Sequence, residues 1–232
     1  MGSIWTFDLS RIIQEYKTPH FFETGTFMGD GVEYALLSPF KKITSVEIIH
    51  EIADEAKRKF ISYSKVEIIE DDSVSALTNN LPHLDGNCIF WLDAHFPGAD
   101  AGMTDYDAGG NETLRLPLIN EIELIHQRIR KFKDVLVIDD LRIYEEGPFA
   151  NGNVPVDALP VADRNINFIY ECYGRSHVIL KSYLDEGYVL VFPKRKYKLK
   201  LFFNNLFGKK IKEDFYLSSS GTTNEKLPLA SE

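Results

Sequence analysis

The chain alternates short, densely apolar runs with stretches in which apolar residues recur every three or four positions. Ile12, Ile13 and Tyr16 share one face of a helical segment over residues 8–17, with Asp8 placed to cap its start and Pro19 to end it. His20–Glu23 is a short run that enters a glycine-rich turn, and Ile43–Ile49 and Val66–Ile69 are rich in β-branched residues. Cys88–Leu92 and Val135–Ile138 are continuously apolar, the pattern of strands buried on both faces. Helical periodicity fills the intervals at Val32–Leu37, Glu51–Phe60, Val74–Asn80 and Leu116–Phe132. In the last of these, Leu118, Ile122, Ile125 and Ile129 form the stripe and Pro117 falls in the first turn. Asp163–Tyr173 continues the series, with Gly174 in the left-handed position that follows many helices. His177–Tyr183 and Tyr188–Phe192 flank Leu184–Gly187 as a hairpin. Strands alternating with helices and closing in a hairpin predict an α/β chain: a doubly wound, mostly parallel sheet carrying one antiparallel strand.

Composition narrows this only slightly. With 232 residues, one α/β domain over 1–193 is expected, followed by a basic aromatic segment, 194–217, and a polar, disordered tail, 218–232. The formal charge of −9 argues against nucleic acid as the partner. Two cysteines are too few for a disulfide framework, so a reducing, cytoplasmic setting is expected. Residues 194–212, KRKYKLKLFFNNLFGKKIK, read either as a contact to a membrane surface or a partner protein, or as a solvated surface element. Oligomeric state is not legible.

Chemistry concentrates at the carboxyl ends of the strands, where open parallel sheets bind ligands. Glu23 ends the first strand, Glu47 lies near the end of the second, Asp72 follows the third, Asp93 the fourth and Asp139-Asp140 the fifth. Each acid alone can be a capping or turn residue; five in succession at one edge form a site. The turn Glu23-Thr24-Gly25-Thr26, with Gly29 and Gly31 beyond it, brings main chain close to a ligand. Glu23 before it and Asp30 within it make it a poor seat for pyrophosphate and a better one for a cofactor with a cationic end. Glu47 stands where a ribose diol is gripped, and Asp72 and Ser73 where an adenine amino group is reached. This set favours S-adenosyl-L-methionine (SAM) over NAD. His95, two residues after Asp93, reads either as a general base or as a buried, satisfied histidine. The loop over 96–114, rich in Gly and Asp, reads as a substrate lid. Arg115 and Arg142 can meet a substrate phosphate or pair with nearby acids.

ETGTFMGDG, the acid of SVEI, EDDS after the third strand and WLDAHF together resemble class I SAM-dependent methyltransferases over residues 20–193. Within that class the spacing resembles the metal-dependent macrocin and sugar O-methyltransferases and the cephalosporin-hydroxylase-like group. The resemblance implies a Rossmann-like seven-stranded sheet with a reversed last strand and helices on both faces. It implies Glu23 and Gly25 at the methionine part of SAM, with Thr24, Thr26, Gly29 and Gly31 in the same motif, Glu47 at the ribose, and Asp72 and Ser73 at the adenine. It also implies a divalent ion, Mg²⁺ or another cation, held by Asp93, Asp139 and Asp140; Asp93 and His95 are the residues read here as catalytic. The activity implied is O-methylation of a sugar or other polyhydroxylated small molecule or glycan. Glu23 stands where many members have Asp. A non-catalytic binding module on the same fold, or an enzyme using NAD or a nucleotide sugar, would account for parts of the pattern, although the chain lacks a Tyr-x-x-x-Lys pair.

Overall fold

The computed structural model describes residues 3–99, 102–103, 111–154 and 164–194. The two C-terminal segments proposed from composition lie outside these apart from Lys194, as do residues 100–101 and 104–110 of the expected lid.

Seven strands form one sheet: β1 (His20–Thr24), β2 (Lys42–Glu47), β3 (Val66–Glu70), β4 (Cys88–Leu92), β5 (Val135–Ile138), β6 (His177–Ser182) and β7 (Tyr188–Pro193). The spatial order is β3-β2-β1-β4-β5-β7-β6, and β7 alone runs against both its neighbours. The helices are α1 (Leu9–Tyr16), α2 (Asp30–Leu36), α3 (His50–Phe60), α4 (Ser73–Asn80), α5 (Glu112–Arg115), α6 (Leu118–His126) and α7 (Asn167–Tyr173). This is the doubly wound, mostly parallel arrangement the sequence predicts, with the reversed strand paired between β5 and β6.

Side-chain alternation along each strand divides the core in two. Phe21, Ile43, Ile89, Val135 and Val137 point to one face, where α1, α2 and α3 bring Ile12, Val32 and Ala56. Phe22, Val46, Phe90, Leu136 and Ile138 point to the other, against Leu77 of α4, Ile122 of α6 and Ile169 of α7. The register Phe21↔Ile43 and Phe21↔Ile89 keeps like faces together across three strands. Among the described residues, no helix is long and apolar enough to cross a membrane.

Three local expectations change. The helix predicted over 116–132 begins after Pro117 and ends at His126, with the separate turn α5 before it. Its end is drawn off by Arg128, which is buried and donates to the carbonyls of Leu81 (3.1 Å), Leu84 (2.7 Å) and Gly86 (2.7 Å) while pairing with Asp134 at 3.0 Å. The last predicted helix starts at Asn167 rather than residue 163. Gly174 ends it, but with φ −58 rather than in the left-handed region. Glycine is needed there because a Cβ would lie 2.5 Å from the Tyr170 carbonyl oxygen.

Arg128 ties the loop before β4 to the loop before β5, at the amino ends of the central strands. Arg128→Met leaves Asp134 buried without its cation and three carbonyls without a donor. It is expected to lower unfolding stability by about 3–5 kcal/mol in urea titration. Asp134→Asn added to that variant restores part of the loss; if the single variant unfolds at the wild-type midpoint, the anchor is misassigned.

Candidate active site

At the carboxyl edge, β1 and β4 lie side by side while their following chains leave to opposite faces. The β1 turn crosses this point pressed against β4. Gly25 has φ +90, and a Cβ on it would lie 2.5 Å from the Asp93 carbonyl oxygen. The turn is tied to β2 by Gly25 and Thr26 N–H groups, both donating to the Val46 carbonyl at 3.0 Å. The other two glycines are required for different reasons. Gly29, φ +81, precedes α2 beneath the Phe60 ring, and Gly31 leaves room for the Glu23 carboxyl, whose Oε1 would be 1.8 Å from an added Cβ.

Three cavities meet at the end of β4. The largest, about 780 Å³ of open space, is lined by Gly25, Phe27, Glu47, Asp72, Ser73, Asp93 and His95 among others. A second, about 390 Å³, lies over the β1 turn between Trp5, Glu23, Thr26, Asp30, Gly31, Trp91 and Asp93. The third, about 240 Å³, lies deeper, with His95, Glu121, Asp139 and Tyr144 on its wall. Asp93 joins the first two and His95 joins the first and third. Among the described residues, no lysine or arginine lines any of the three. Of the predicted residues, Thr24, Gly29 and Asp140 line none of them. Thr24 is fully buried behind the turn, and Asp140 stands behind His95.

Each acid is held differently. Glu47 accepts main-chain N–H groups from Phe27 and Ile49, both at 2.9 Å, one on each oxygen. The second of these bonds ends β2 at Glu47, two residues short of the predicted strand. Asp72 caps α4 by accepting from Ser75 N–H at 2.8 Å. Glu23 is buried, with Oε2 accepting from Ser45 Oγ at 2.5 Å, and Ser45 Oγ lies 2.6 Å from Thr26 Oγ1. Burial outweighs the Ser45 bond and, with Glu47 and Asp30 nearby, raises the Glu23 pKa to about 8.

The Asp93–Asp139–Asp140 group is built around His95. Its Nε2 lies 2.8 Å from Asp140 Oδ2 and its Nδ1 3.4 Å from Asp93 Oδ1. Burial pushes the imidazole down, but Asp140, Asp93 and Asp139 together outweigh it and raise its pKa to about 10. The acids on either side of its two nitrogens therefore favour the charged form of His95. Burial pushes Asp93 and Asp139 up, reinforced by the charge of Asp139 on Asp93 and of Asp140 on Asp139. Burial acts in the same direction on Asp140, but His95 and Arg142 overcome it and hold its pKa below the ordinary value. Arg142 bridges Asp140 Oδ1 (3.0 Å) and Glu186 Oε1 (3.1 Å), the pairing role rather than a phosphate site. Asp140 adopts φ 57, a left-handed conformation for a non-glycine residue, which turns its carboxylate toward His95. Asp139 Oδ1 is buried with no hydrogen-bond partner among the described residues.

Glu121 of α6 is missing from the sequence-derived site. It is buried at 1% exposure, and burial raises its pKa to about 7 against the opposing influence of the Ser73 and Thr24 hydroxyls. The signal was present: within the stripe of Leu118, Ile122 and Ile125, Glu121 is an acid on the buried face.

No family model matches the chain, and no curated protein matches it. Solved structures do. A structure named as an rRNA methylase from Clostridium thermocellum shares 9% identity at TM-score 0.51, over 80% of this chain and 94% of that one. An O-methyltransferase from Bacillus cereus in complex with SAH (S-adenosylhomocysteine) shares 13% identity at TM-score 0.49, over 80% and 78%. The SAH-bound methyltransferase PaMTH1 of Podospora anserina shares 12% at TM-score 0.49, over 80% and 76%. At 9% identity the first of these likenesses is one of fold, the Rossmann-like doubly wound sheet.

The Glu23 shift carries a sign that can be measured. The folded-state pKa, about 8, lies above the unfolded value near 4.5, so between these the unfolded chain releases a proton that the folded chain keeps. Stability falls as pH rises through that window, by up to about 4–5 kcal/mol. Glu23→Gln removes this loss. Its urea stability relative to wild type is expected to grow steadily from pH 5 to pH 8.5; parallel pH–stability curves contradict the assignment.

Proposed function

We propose that this chain is a SAM-dependent O-methyltransferase acting on a hydroxyl of a sugar or other polyhydroxylated small molecule, with a divalent cation, Mg²⁺ or a similar ion, assisting. The reading rests above all on one observation: the acid-lined cavities meet at the β1–β4 junction and are lined by no lysine or arginine among the described residues, while His95 on their wall is held between Asp93 and Asp140. A dinucleotide or nucleotide sugar brings phosphates that need N–H or cationic donors. SAM brings a sulfonium and an ammonium, which carboxylates attract.

In this reading the cofactor's nucleoside lies in the largest cavity. Glu47, fixed by two amides, keeps its remaining lone pairs for the ribose hydroxyls. Asp72 and Ser73 flank the purine, with Phe27, Ile48 and Ile52 as apolar walls. The methionine end lies over Gly25 in the second cavity, where Glu23, Asp30 and Asp93 offer acceptors to its ammonium. The sulfonium then falls near the end of β4, and the acceptor hydroxyl approaches from the side of His95 and Asp139. The two parts of the reaction are held at the correct separation by strand ends, which is catalysis by proximity.

The donor set at the transfer end suits a hard divalent ion. Three carboxylates, two of them pushed up by burial and a neighbouring acid's charge, and an unpartnered oxygen on Asp139 supply hard oxygen donors. Asp93, Asp139 and Asp140 would hold the ion, which when bound supplies Lewis-acid polarisation of the acceptor hydroxyl. Among the described residues, the three-residue group with ligand atoms within 4.8 Å is elsewhere, His50, Asp54 and Glu70 on the surface, where Lys57 already pairs with Glu70 at 2.5 Å. His95 stands between Asp93 and Asp140, so ion and imidazolium compete for the same acids.

Calorimetric titration with SAM and SAH is expected to give dissociation constants in the micromolar range, with NAD binding at least tenfold more weakly. Failure of both SAM and SAH to bind below millimolar concentration overturns the reading. For the ion, Mn²⁺ or Mg²⁺ at millimolar concentration is expected to raise the melting temperature of wild type and not of Asp139→Asn. Methyl transfer unchanged by EDTA, together with a fully active Asp139→Ala enzyme, removes the metal from the proposal.

A further inference from the structure

The segment before α1 has no part in the sequence-derived site, yet it supplies one wall of the second cavity. Ile4 and Trp5 line that cavity with Glu23, Gly25, Asp30 and Asp93. Residues Ile4–Thr6 form a single 3₁₀ turn, and both of its ends are fastened. Ile4 and Phe7 are buried. The Phe7 ring stands edge-on to Tyr188 with centroids 5.0 Å apart. Ser3 N–H donates to Tyr188 Oη at 2.8 Å, and Tyr34 Oη donates to the Phe7 carbonyl at 2.8 Å. β7 and α2 thus hold the chain on either side of Trp5. Trp5 itself, between these buried neighbours, is 46% exposed, and Met28 on the same cavity is 53% exposed. Large apolar side chains left open together at one cavity mark a ligand groove and add nothing to the core. Beside acids, and with no lysine or arginine on the wall among the described residues, they suit an organic cation. The acids attract its charge, and an indole face attracts it as well.

We infer that Trp5 is a cofactor-binding residue: its indole covers the ammonium-bearing methionine end of SAM over the β1 turn. This rests on the SAM reading above. The anchored 3₁₀ turn holds the aromatic face in place before the ligand arrives, so little ordering is needed on binding. Among the described residues, none from this turn lines the largest cavity, where the nucleoside lies. Trp5 therefore acts on the amino-acid end of the cofactor and not on its nucleoside.

The chain has two tryptophans, and both line this cavity, with Trp91 buried and Trp5 exposed. Saturation with SAH is expected to shift the wild-type tryptophan emission to the blue, and Trp5→Phe is expected to lose the shift. Affinities come from calorimetry, with urea unfolding run in parallel on each variant. Trp5→Ala is expected to weaken SAH about tenfold. It is expected to leave 5′-methylthioadenosine, a nucleoside thioether without the amino-acid end, within about twofold of wild type. Trp5→Phe keeps an aromatic face and is expected to stay within about threefold for SAH. Trp5→Leu is expected to match Trp5→Ala and covers the case in which the alanine variant is unstable. Wild-type SAH affinity in Trp5→Ala or Trp5→Leu overturns the inference. So does an equal loss of SAH and 5′-methylthioadenosine, which marks a structural role, and so does unshifted emission from wild type saturated with SAH. Failure of wild type to bind SAH at all overturns the cofactor reading itself, and this inference with it.

Discussion

The contact on which this structure depends is the main chain of the β1 turn lying against the end of β4. At that point the strand order reverses, and chains leaving β1 and β4 part to opposite faces of the sheet. A crevice results from topology alone, but its shape depends on Gly25 passing within a Cβ's reach of the Asp93 carbonyl. With any side chain at Gly25 the turn would lift, and the cavities that share Asp93 would separate. Gly31 makes a comparable allowance for Glu23. These two glycines serve protein-to-protein closeness first, and the ligand cavity is a consequence.

Electrostatics then give the crevice its sign. Glu23, Glu121 and Asp139, all buried, and the half-buried Asp93 are acids whose pKa values are raised, chiefly by loss of water. His95 is the cation among them, and Arg142 reaches only the outer side of Asp140. Such a group is held in place by the rest of the fold and not by its own interactions. The opposite end of the central strands shows the contrast. There Arg128 and Asp134 satisfy each other and three carbonyls, a closed arrangement that fastens loops and leaves nothing for a ligand.

The sheet edge at β6 and β7 contributes to the site through the hairpin. Glu186 in its turn takes Arg142, and Leu141 and Arg142 N–H groups donate to Gly187 and Glu186 carbonyls at 3.0 and 3.1 Å. The reversed strand therefore closes the sheet and also anchors the segment after β5, where Asp140 is held in its left-handed conformation.

From the pattern of residues alone came the alternation of elements, the doubly wound sheet, the hairpin and the row of acids at the strand ends. Apolar runs such as Cys88–Leu92 and Val135–Ile138 have few other ways to be buried, and acids directly after them must emerge at one edge. Tertiary structure decided the rest, because it concerns distance between segments far apart in the chain. Local pattern could not show that Arg128 would be drawn off the end of α6, or that Gly174 answers to a carbonyl oxygen and not to a left-handed turn. It could not show that Asp140, 45 positions along the chain, comes within 2.8 Å of the His95 ring. Nor could it place Glu121 among Thr24 and Ser73, since a buried acid on a helix stripe acquires meaning only from what the neighbouring elements bring to it.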